Sequence, residues 1–187
     1  MVSARCLRRA SAIAPIAAMQ VDYSMFAREI EHSTGPEKNI LSNCRELGVA
    51  LVAATPLGRG ILTTTYSEAK PLGDEADGRP HMLPRFQGDN KTHNADLVKQ
   101  LSAFAQKKGC SVTQLALAWL LKQGVFAIPG TRRVKYLEDN WAAASISLSD
   151  AEEAELRKFV ESVQIAGDAV PQENADWVYS DSKELTG

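Results

Sequence analysis

Three cations lie directly after a proline-glycine turn in this chain of 187 residues. Arg132, Arg133 and Lys135 follow Pro129-Gly130, which ends the apolar run 125–128. A glycine turn between a strand and a helix N-terminus gathers backbone N–H groups at one point, where the helix dipole adds partial positive charge. The planar guanidinium of arginine binds phosphate oxygens in pairs. The segment therefore predicts an anion site that favours phosphate, although a solvated helix start with surface arginines explains the same residues.

Two more groups of polar residues follow apolar runs elsewhere in the chain. Gln20-Val-Asp-Tyr-Ser24 ends the run 13–21, and Ala54-Thr-Pro-Leu-Gly-Arg-Gly60 follows the run 49–53. In parallel α/β folds, ligands bind at the carboxyl ends of the strands. Because all three groups follow strand-like runs, we expect them to lie where such folds bind ligands.

The elements that would position these groups alternate between strands and helices. Apolar runs predict three strands, at about 13–21, 49–53 and 125–128. The last of these is wholly apolar and is expected to be buried on both faces. Capping residues, glycines and amphipathic spacing predict helices at 3–11, 36–47, 94–108, 112–123, from 131 onward and after Ser149. The alternation predicts right-handed βαβ units, and therefore an α/β fold with a parallel sheet covered by helices on one side.

Residues 61–93 interrupt this pattern, because they are dense in glycine, proline and charge. Loops of such length in a compact domain are usually functional or disordered. Met82, Leu83 and Phe86 favour a flap with its own apolar anchor over a solvated linker. Asn94 is then predicted to cap the next helix. Residues from about 167 onward are predicted to form an irregular tail.

Composition and charge exclude several classes of partner. The 21 Lys and Arg residues against 23 Asp and Glu give a net charge of -2, which provides no general attraction to nucleic acid or anionic membranes. No apolar run approaches the roughly 20 residues of a membrane span. Cys6, Cys44 and Cys110 are odd in number and widely spaced, which predicts reduced thiols and a cytoplasmic location rather than zinc or disulfides. The arginine-rich segment 1–21 mimics a mitochondrial transit peptide, but a helix followed by a strand is the favoured interpretation.

Several motifs, in this order, resemble one protein family. They are Gln20-Val-Asp-Tyr-Ser-Met-Phe26, Pro56-Leu-Gly-Arg-Gly60, Leu83-Pro-Arg-Phe-Gln87, Gln114-Leu-Ala-Leu-Ala-Trp119, and Ile128-Pro-Gly-Thr131 through Leu137-Glu-Asp-Asn140. The chain resembles the aldo-keto reductases, (β/α)8 TIM barrels that transfer hydride between NADP(H) and carbonyl compounds. The resemblance covers 3 to about 167 and matches the C-terminal part of the barrel, from the helix after the fifth strand. It implies a partial TIM barrel at 1–166, with about three parallel strands and covering helices, and an irregular tail at 167–187.

The resemblance also implies a set of residues that bind NADP(H). In the family, the position of Gln20 holds the nicotinamide carboxamide. The turn beneath the nicotinamide ribose and pyrophosphate matches Thr55, Pro56, Leu57, Gly58 and Arg59. The loop around the 2′-phosphate matches Gly130, Thr131, Arg132 and Arg133. The helix face at the adenine matches Tyr136, Asp139 and Asn140. The resemblance thus places a phosphate where the charges predict an anion.

Two departures from the family pattern stand out. Ala54 occupies the position where the family usually has an aromatic ring that stacks on the nicotinamide. The catalytic Asp, Tyr, Lys and His of the family lie on earlier strands, and no residue here corresponds to them. Tyr23 lies close to Gln20 in sequence, but no lysine of this segment is placed to lower its pKa, so a packing role is favoured. No catalytic residue is therefore assigned.

Three functions remain open on the sequence alone. The first is an aldo-keto reductase by descent, reduced to its cofactor-binding part and inactive as an isolated chain, which reduces a small carbonyl compound only when the missing half completes it. The second is a non-catalytic partial barrel that binds a partner subunit or a dinucleotide without turnover. The third is a truncated gene product without an independent role. For any partial barrel, open strand edges predict self-association.

Overall fold

Three parallel strands form one sheet in a computed structural model that describes residues 3–32, 39–68, 70–71, 73 and 75–171. They are β1 (Ala18–Asp22), β2 (Ala50–Ala54) and β3 (Phe126–Ala127), in the order β1-β2-β3. The prediction of three parallel strands is confirmed. The first strand begins later than predicted, because a helix continues to Ile13 and the residue before Pro15 is extended, as residues before proline usually are.

Eight α-helices accompany this sheet in the described part of the chain. They are α1 (Ala4–Ile13), α2 (Ile40–Leu47), α3 (Thr64–Ser67), α4 (Arg79–Met82), α5 (Gly88–Lys108), α6 (Val112–Lys122), α7 (Val134–Ala142) and α8 (Asp150–Ser162). Short 3-10 turns lie at Glu29–Glu31, Gly58–Gly60, Pro84–Phe86 and Ala143–Ser145. No helix within the described ranges is long and apolar enough to cross a membrane.

Local capping signals account for most helix ends. The Ser3 hydroxyl accepts the N–H of Cys6 at the start of α1, and capping boxes begin α6 at Ser111 and α8 at Ser149, as predicted. Gly48 and Gly109 end α2 and α5 in the left-handed conformation that glycine adopts without strain. The predicted helix start at Pro36 lies outside the described residues.

The segment 61–93 is more regular than the sequence predicts. It contains α3, α4, a 3-10 turn and the beginning of α5. The predicted cap at Asn94 is wrong, because α5 begins at Gly88 and Asn94 lies inside the helix with its side chain buried. The first turns of α5 are polar and therefore lack the apolar spacing by which a helix is recognised. Of the predicted apolar anchors, Phe86 is buried against the Tyr66 ring, whereas Met82 is exposed.

Among the described residues, helices cover one face of the sheet and leave the other open. Met19, Val21, Leu51 and Ala53 are buried on the covered face, together with Trp119 of α6. The expectation that the third strand is buried on both faces is wrong, since Phe126 is 64% exposed. β3 is an edge strand, and in the described part of the chain solvent reaches the sheet face to which Phe126 belongs. The apolar side chains of α7 are also exposed: Val134, Leu137 and Trp141.

The predicted tail begins as an irregular segment that is attached to the domain. Residues 167–171 form no helix or strand. Arg85 and Arg59 donate hydrogen bonds to the backbone carbonyls of Gly167 and Ala169. The remainder of the predicted tail, 172–187, lies outside the described residues.

Candidate functional site

The three groups of polar residues singled out in the sequence lie at the carboxyl ends of the three strands, which together form one end of the sheet. Gln20 of β1 is in register with Val52 of β2, which is in register with Phe126 of β3. Gln20 is exposed on the open face of the sheet. Because the strands are parallel, the loop after β1, the turn after β2 and the loop after β3 all leave the same end of the sheet. A hydrogen bond from the Ile128 N–H to the Ala53 carbonyl, at 3.2 Å, holds β3 against β2 at this end.

The turn after β2 has a strained backbone. Thr55 and Arg59 have φ angles of 46° and 58°, in the left-handed region that residues other than glycine rarely adopt. Each such residue costs of order 1–3 kcal/mol, and residues of this kind are concentrated at ligand-binding sites. The glycines at 58 and 60 also have positive φ angles, and the Gly58 N–H closes the turn by donating to the Thr55 carbonyl at 2.8 Å. Pro56 is buried, and Leu57 packs against the core.

The loop after β3 leads into an uncapped helix N-terminus. Gly130, Thr131, Arg132 and Arg133 are all exposed. The N-cap residue of α7, Arg133, makes no side-chain capping bond, and the first turn carries no acidic residue. The Thr131 hydroxyl accepts the Arg133 N–H at 3.2 Å, which shapes the approach to the helix. The N-terminus of α7 therefore has no capping side chain and lies beside two exposed arginines, a combination that favours an anion.

The exposed and half-buried residues predicted at the adenine side lie on one helical face. Tyr136, Asp139 and Asn140 are spaced at i, i+3 and i+4 on α7. The Tyr136 ring centroid is 5.7 Å from the Arg133 guanidinium carbon. The Asp139 carbonyl accepts a hydrogen bond from the Gln114 side chain at 3.3 Å, which attaches α7 to α6. This face is thus fixed relative to the helix N-terminus.

Asp77 and Arg79 form an ion pair beside the strained turn, and the sequence does not single them out. The Asp77 carboxylate binds the Arg79 guanidinium through two hydrogen bonds, both of 2.8 Å. Arg79 also donates to the Arg59 carbonyl at 2.6 Å, in the strained turn. The hydrogen bond from Arg79 lowers the pKa of Asp77, and the charge of Arg132 acts in the same direction. The only sequence signal was an acid and an arginine two residues apart within a glycine-rich segment.

Tyr23 has the packing role predicted for it. Its side chain is fully buried, its hydroxyl donates to Glu31 at 2.5 Å, and its ring centroid is 5.6 Å from that of Trp119. Burial, followed by the hydrogen bond to Glu31, raises the pKa of Tyr23 far above its usual range. The Glu31 carboxylate also lies 3.4 Å from Arg28 and 3.2 Å from Arg157 of α8. The hydroxyl therefore belongs to a buried charge network.

Ala54 and Tyr66 add no acid or base to the site. Ala54 ends β2, and its carbonyl accepts the Tyr23 N–H at 3.2 Å. The Tyr66 hydroxyl donates to the Arg85 carbonyl at 3.0 Å, and burial raises the pKa of Tyr66 to about 12. A phenol with such a pKa keeps its proton throughout the neutral range.

Residues 2–161 match the family model described as Aldo/keto reductase family. The chain belongs to the aldo/keto reductase family. It is 44% identical over 168 residues to the aldo-keto reductase str7 of Strobilurus tenacellus, a match that covers 89% of this chain and 48% of str7. It is 39% identical over 185 residues to the aldo-keto reductase yakc [NADP(+)] of Schizosaccharomyces pombe, covering 98% of this chain and 53% of that protein. This aldo/keto reductase chain therefore spans about half the length of the curated relatives it matches.

Solved structures support the fold assignment. The thermostable aldo-keto reductase Tm1743, in complex with the inhibitor epalrestat, superposes with a TM-score of 0.58 at 28% identity, covering 83% of this chain and 44% of that one. The glycerol dehydrogenase AKR11B4 of Gluconobacter oxydans gives a TM-score of 0.67 at 23% identity, covering 89% and 48%. The three strands and their covering helices are a part of the aldo/keto reductase barrel.

Proposed function

We propose that this aldo/keto reductase chain binds NADP(H) at the carboxyl ends of its three strands. The observation that carries the proposal is the arginine-flanked N-terminus of α7, which has no capping side chain and follows the strand that pairs with β2, next to the strained turn. A helix N-terminus with two arginines suits a phosphate dianion. The NADP(+) in the name of the Schizosaccharomyces pombe relative supports this choice of nucleotide.

Each group of residues at the carboxyl ends of the strands has a proposed contact with the nucleotide. Gln20 binds the nicotinamide carboxamide, and the turn Thr55–Arg59 lies beneath the nicotinamide ribose and pyrophosphate. The loop Gly130–Arg133 holds the 2′-phosphate, and Tyr136, Asp139 and Asn140 contact the adenine side. The parallel register supports this layout, because it places the ends of all three strands side by side.

The proposed reaction is hydride transfer between NADP(H) and a small carbonyl compound, carried out only together with catalytic groups outside this chain. The acid that protonates the carbonyl must release its proton near neutral pH. Tyr23 and Tyr66 are unsuited to this, since their hydroxyls are bound to Glu31 and to the Arg85 carbonyl and their pKa values are raised. Ala54 offers no ring to stack on the nicotinamide, which removes roughly 1 kcal/mol of binding free energy. We therefore expect weak NADP(H) binding and no measurable turnover by the purified chain.

Calorimetric titration of the purified chain with NADPH and with NADH tests the proposal. Only NADPH carries the 2′-phosphate, and charge-assisted hydrogen bonds to it are worth about 1.5–3 kcal/mol each before screening. We expect NADPH to bind about tenfold more tightly or better. The preference should decrease as salt is raised, because the arginines are exposed to solvent.

Charge-matched variants separate a phosphate site from general attraction. Replacing Arg132 and Arg133 with alanine should abolish the preference for NADPH. Replacing Lys99 and Lys107 with alanine removes the same charge from exposed positions on α5 and should leave the preference unchanged. Equal binding of NADPH and NADH by the wild-type chain, or an unchanged preference in the arginine variant, would refute the 2′-phosphate site. Aldehyde reduction by the purified chain alone would refute the proposed lack of turnover.

A non-catalytic interaction module is the second candidate function. The observation that favours it is the open sheet face and the apolar side of α7, where Phe126 and Trp141 are 64% and 80% exposed. Exposed apolar surface of this kind favours association. For either function we propose a reducing compartment such as the cytoplasm, because Cys6, Cys44 and Cys110 are not joined in disulfides.

A further inference from the structure

Residues 166–171 form a strap that side chains from other elements attach to the domain. Asn94 of α5 contacts Ala166 twice: its Nδ2 donates to the Ala166 carbonyl at 2.9 Å, and its Oδ1 accepts the Ala166 N–H at 2.8 Å. Arg85 donates through Nε to the Gly167 carbonyl at 3.0 Å. The backbone of a segment without helix or strand is thus held at consecutive residues.

Arg59 makes the third attachment and joins the strap to the strained turn. Its Nη1 donates to the Ala169 carbonyl at 2.5 Å, while its own carbonyl accepts a hydrogen bond from Arg79. Arg59 has a positive φ angle, which persists only where surrounding contacts fix it. The contacts of Arg59 with the strap on one side and with Arg79 on the other provide such fixation.

We propose that the strap is a positioning element for the dinucleotide site: by holding Arg59, it keeps the turn Thr55–Gly60 in its strained, binding-competent conformation. The nucleotide part of this proposal rests on the proposed function above. The structural part, in which the strap fixes the turn, does not require any ligand. Arg59 is thus a positioning residue that acts on the backbone of its own turn.

Gly167 is the position at which the strap can be displaced without changing the turn itself. It has a φ angle of 78°, and a Cβ there would lie 2.8 Å from the Asn90 side-chain nitrogen and 2.9 Å from the carbonyl carbon of Pro84. Gly167→Ala must therefore shift the strap away from the 3-10 turn before α5. Gly109 is a matched control, because its φ angle of 74° imposes a similar backbone penalty while a Cβ added there would have nothing within 4 Å.

Peptide-level hydrogen exchange of the full chain, first without nucleotide, provides the test. We expect Gly167→Ala to accelerate exchange in 55–60 as well as in 166–171, and Gly109→Ala to leave both segments at the wild-type rate. In titrations with NADPH, Gly167→Ala should bind about tenfold more weakly than Gly109→Ala. Faster exchange in the strap together with unchanged exchange in the turn would overturn the proposal.

Variants of Arg59 keep the test decisive if Gly167→Ala does not fold. Arg59→Met preserves the length of the side chain but removes the donor to Ala169, so exchange in 55–60, where the Gly58 and Gly60 N–H groups close the turn, should accelerate. Arg59→Lys retains a donor and should restore slow exchange, which a general loss of stability would not produce. Unchanged exchange of the turn 55–60 in Arg59→Met overturns the proposal. A wild-type chain that binds no NADPH would refute the proposed function, and the exchange comparisons alone would then decide the role of the strap.

Discussion

Replacing Asn94 tests how strongly one buried amide stabilises the domain. Its side chain is fully buried inside α5 and makes three hydrogen bonds: to the Arg85 carbonyl at 3.1 Å, and to the carbonyl and the N–H of Ala166. A hydrogen bond of this kind contributes about 0.5–1.5 kcal/mol net, and an unsatisfied buried partner costs more. Since Ala166 is only half-buried, water can replace part of the loss. We expect Asn94→Ala to lower the free energy of unfolding by roughly 2–4 kcal/mol.

Asn94→Asp separates hydrogen bonding from the loss of side-chain volume. Aspartate preserves the shape and can still accept the Ala166 N–H, but it directs a carboxylate oxygen at two carbonyl oxygens. At pH 7 we therefore expect Asn94→Asp to be more destabilising than Asn94→Ala, in spite of its closer shape. The difference should diminish at acidic pH, because a protonated carboxyl group regains one donor.

Urea unfolding followed by the fluorescence of buried Trp119 measures both variants. Asn90→Ala is the matched control on the same helix, since the Asn90 side chain makes one hydrogen bond, to the Pro84 carbonyl at 3.1 Å. It should cost about 1 kcal/mol or less. If Asn94→Ala proves no more destabilising than Asn90→Ala, or if Asn94→Asp proves milder than Asn94→Ala at pH 7, the assignment of the amide as a structural link is wrong.

Three further perturbations have defined outcomes. The exposed sheet face should cause self-association and strong binding of a hydrophobic dye, and both should be reduced in the double variant Phe126→Gln/Trp141→Gln. A wild-type chain that is monomeric by light scattering and does not raise the fluorescence of the dye would contradict this. The hydrogen bond from Lys108, followed by those from Ser149, lowers the pKa of Glu152 from 4.5 to about 2, so its stabilising effect is present above pH 4.5 and is lost as pH falls towards 2. Lys108→Met should reduce the dependence of the urea midpoint on pH in that window. An unchanged dependence would count against the ion pair between Lys108 and Glu152. Because the folded-state pKa of Tyr23 lies above its unfolded value of 10.0, the wild-type chain should lose stability as pH rises above 10. Tyr23→Phe should lose less stability over the same range. If the urea midpoints of the two proteins change equally with pH between pH 9 and 11, the hydroxyl is not held as described.

Features that depend on neighbouring residues in the sequence were predictable. The capping boxes at Ser111 and Ser149 join residues three apart, and the glycine ends of α2 and α5 depend on a single φ angle. The parallel sheet followed from the alternation of apolar runs and amphipathic segments. The roles assigned to the site residues remain predictions, although their placement at one end of the sheet agrees with the predicted topology.

Features that depend on distant partners were not predictable. Asparagine is a residue type that often caps helices, which is why the sequence predicts a cap at Asn94. Only its contacts with Arg85 and with Ala166, which is 72 residues away, explain why it is buried within α5. The apolar run of β3 predicted burial on both faces, because hydrophobic spacing indicates that an element is apolar but not whether another element covers it. Arg79 holds the turn after β2 through the Arg59 carbonyl, a contact that no spacing in the sequence indicates.

The contact between Glu31 and Arg157 of α8 has a consequence for synthesis of the chain. These residues are separated by 126 positions, and the carboxylate concerned is the one that also holds the Tyr23 hydroxyl. At the usual rate of about 5–20 residues per second, a ribosome takes roughly 6–25 s to advance from Glu31 to Arg157. During that interval the Glu31 carboxylate has Arg28 beside it but lacks Arg157 of α8. Nascent chains should consequently depend on chaperones until α8 has emerged, and a pause in translation before Arg157 would lengthen that dependence.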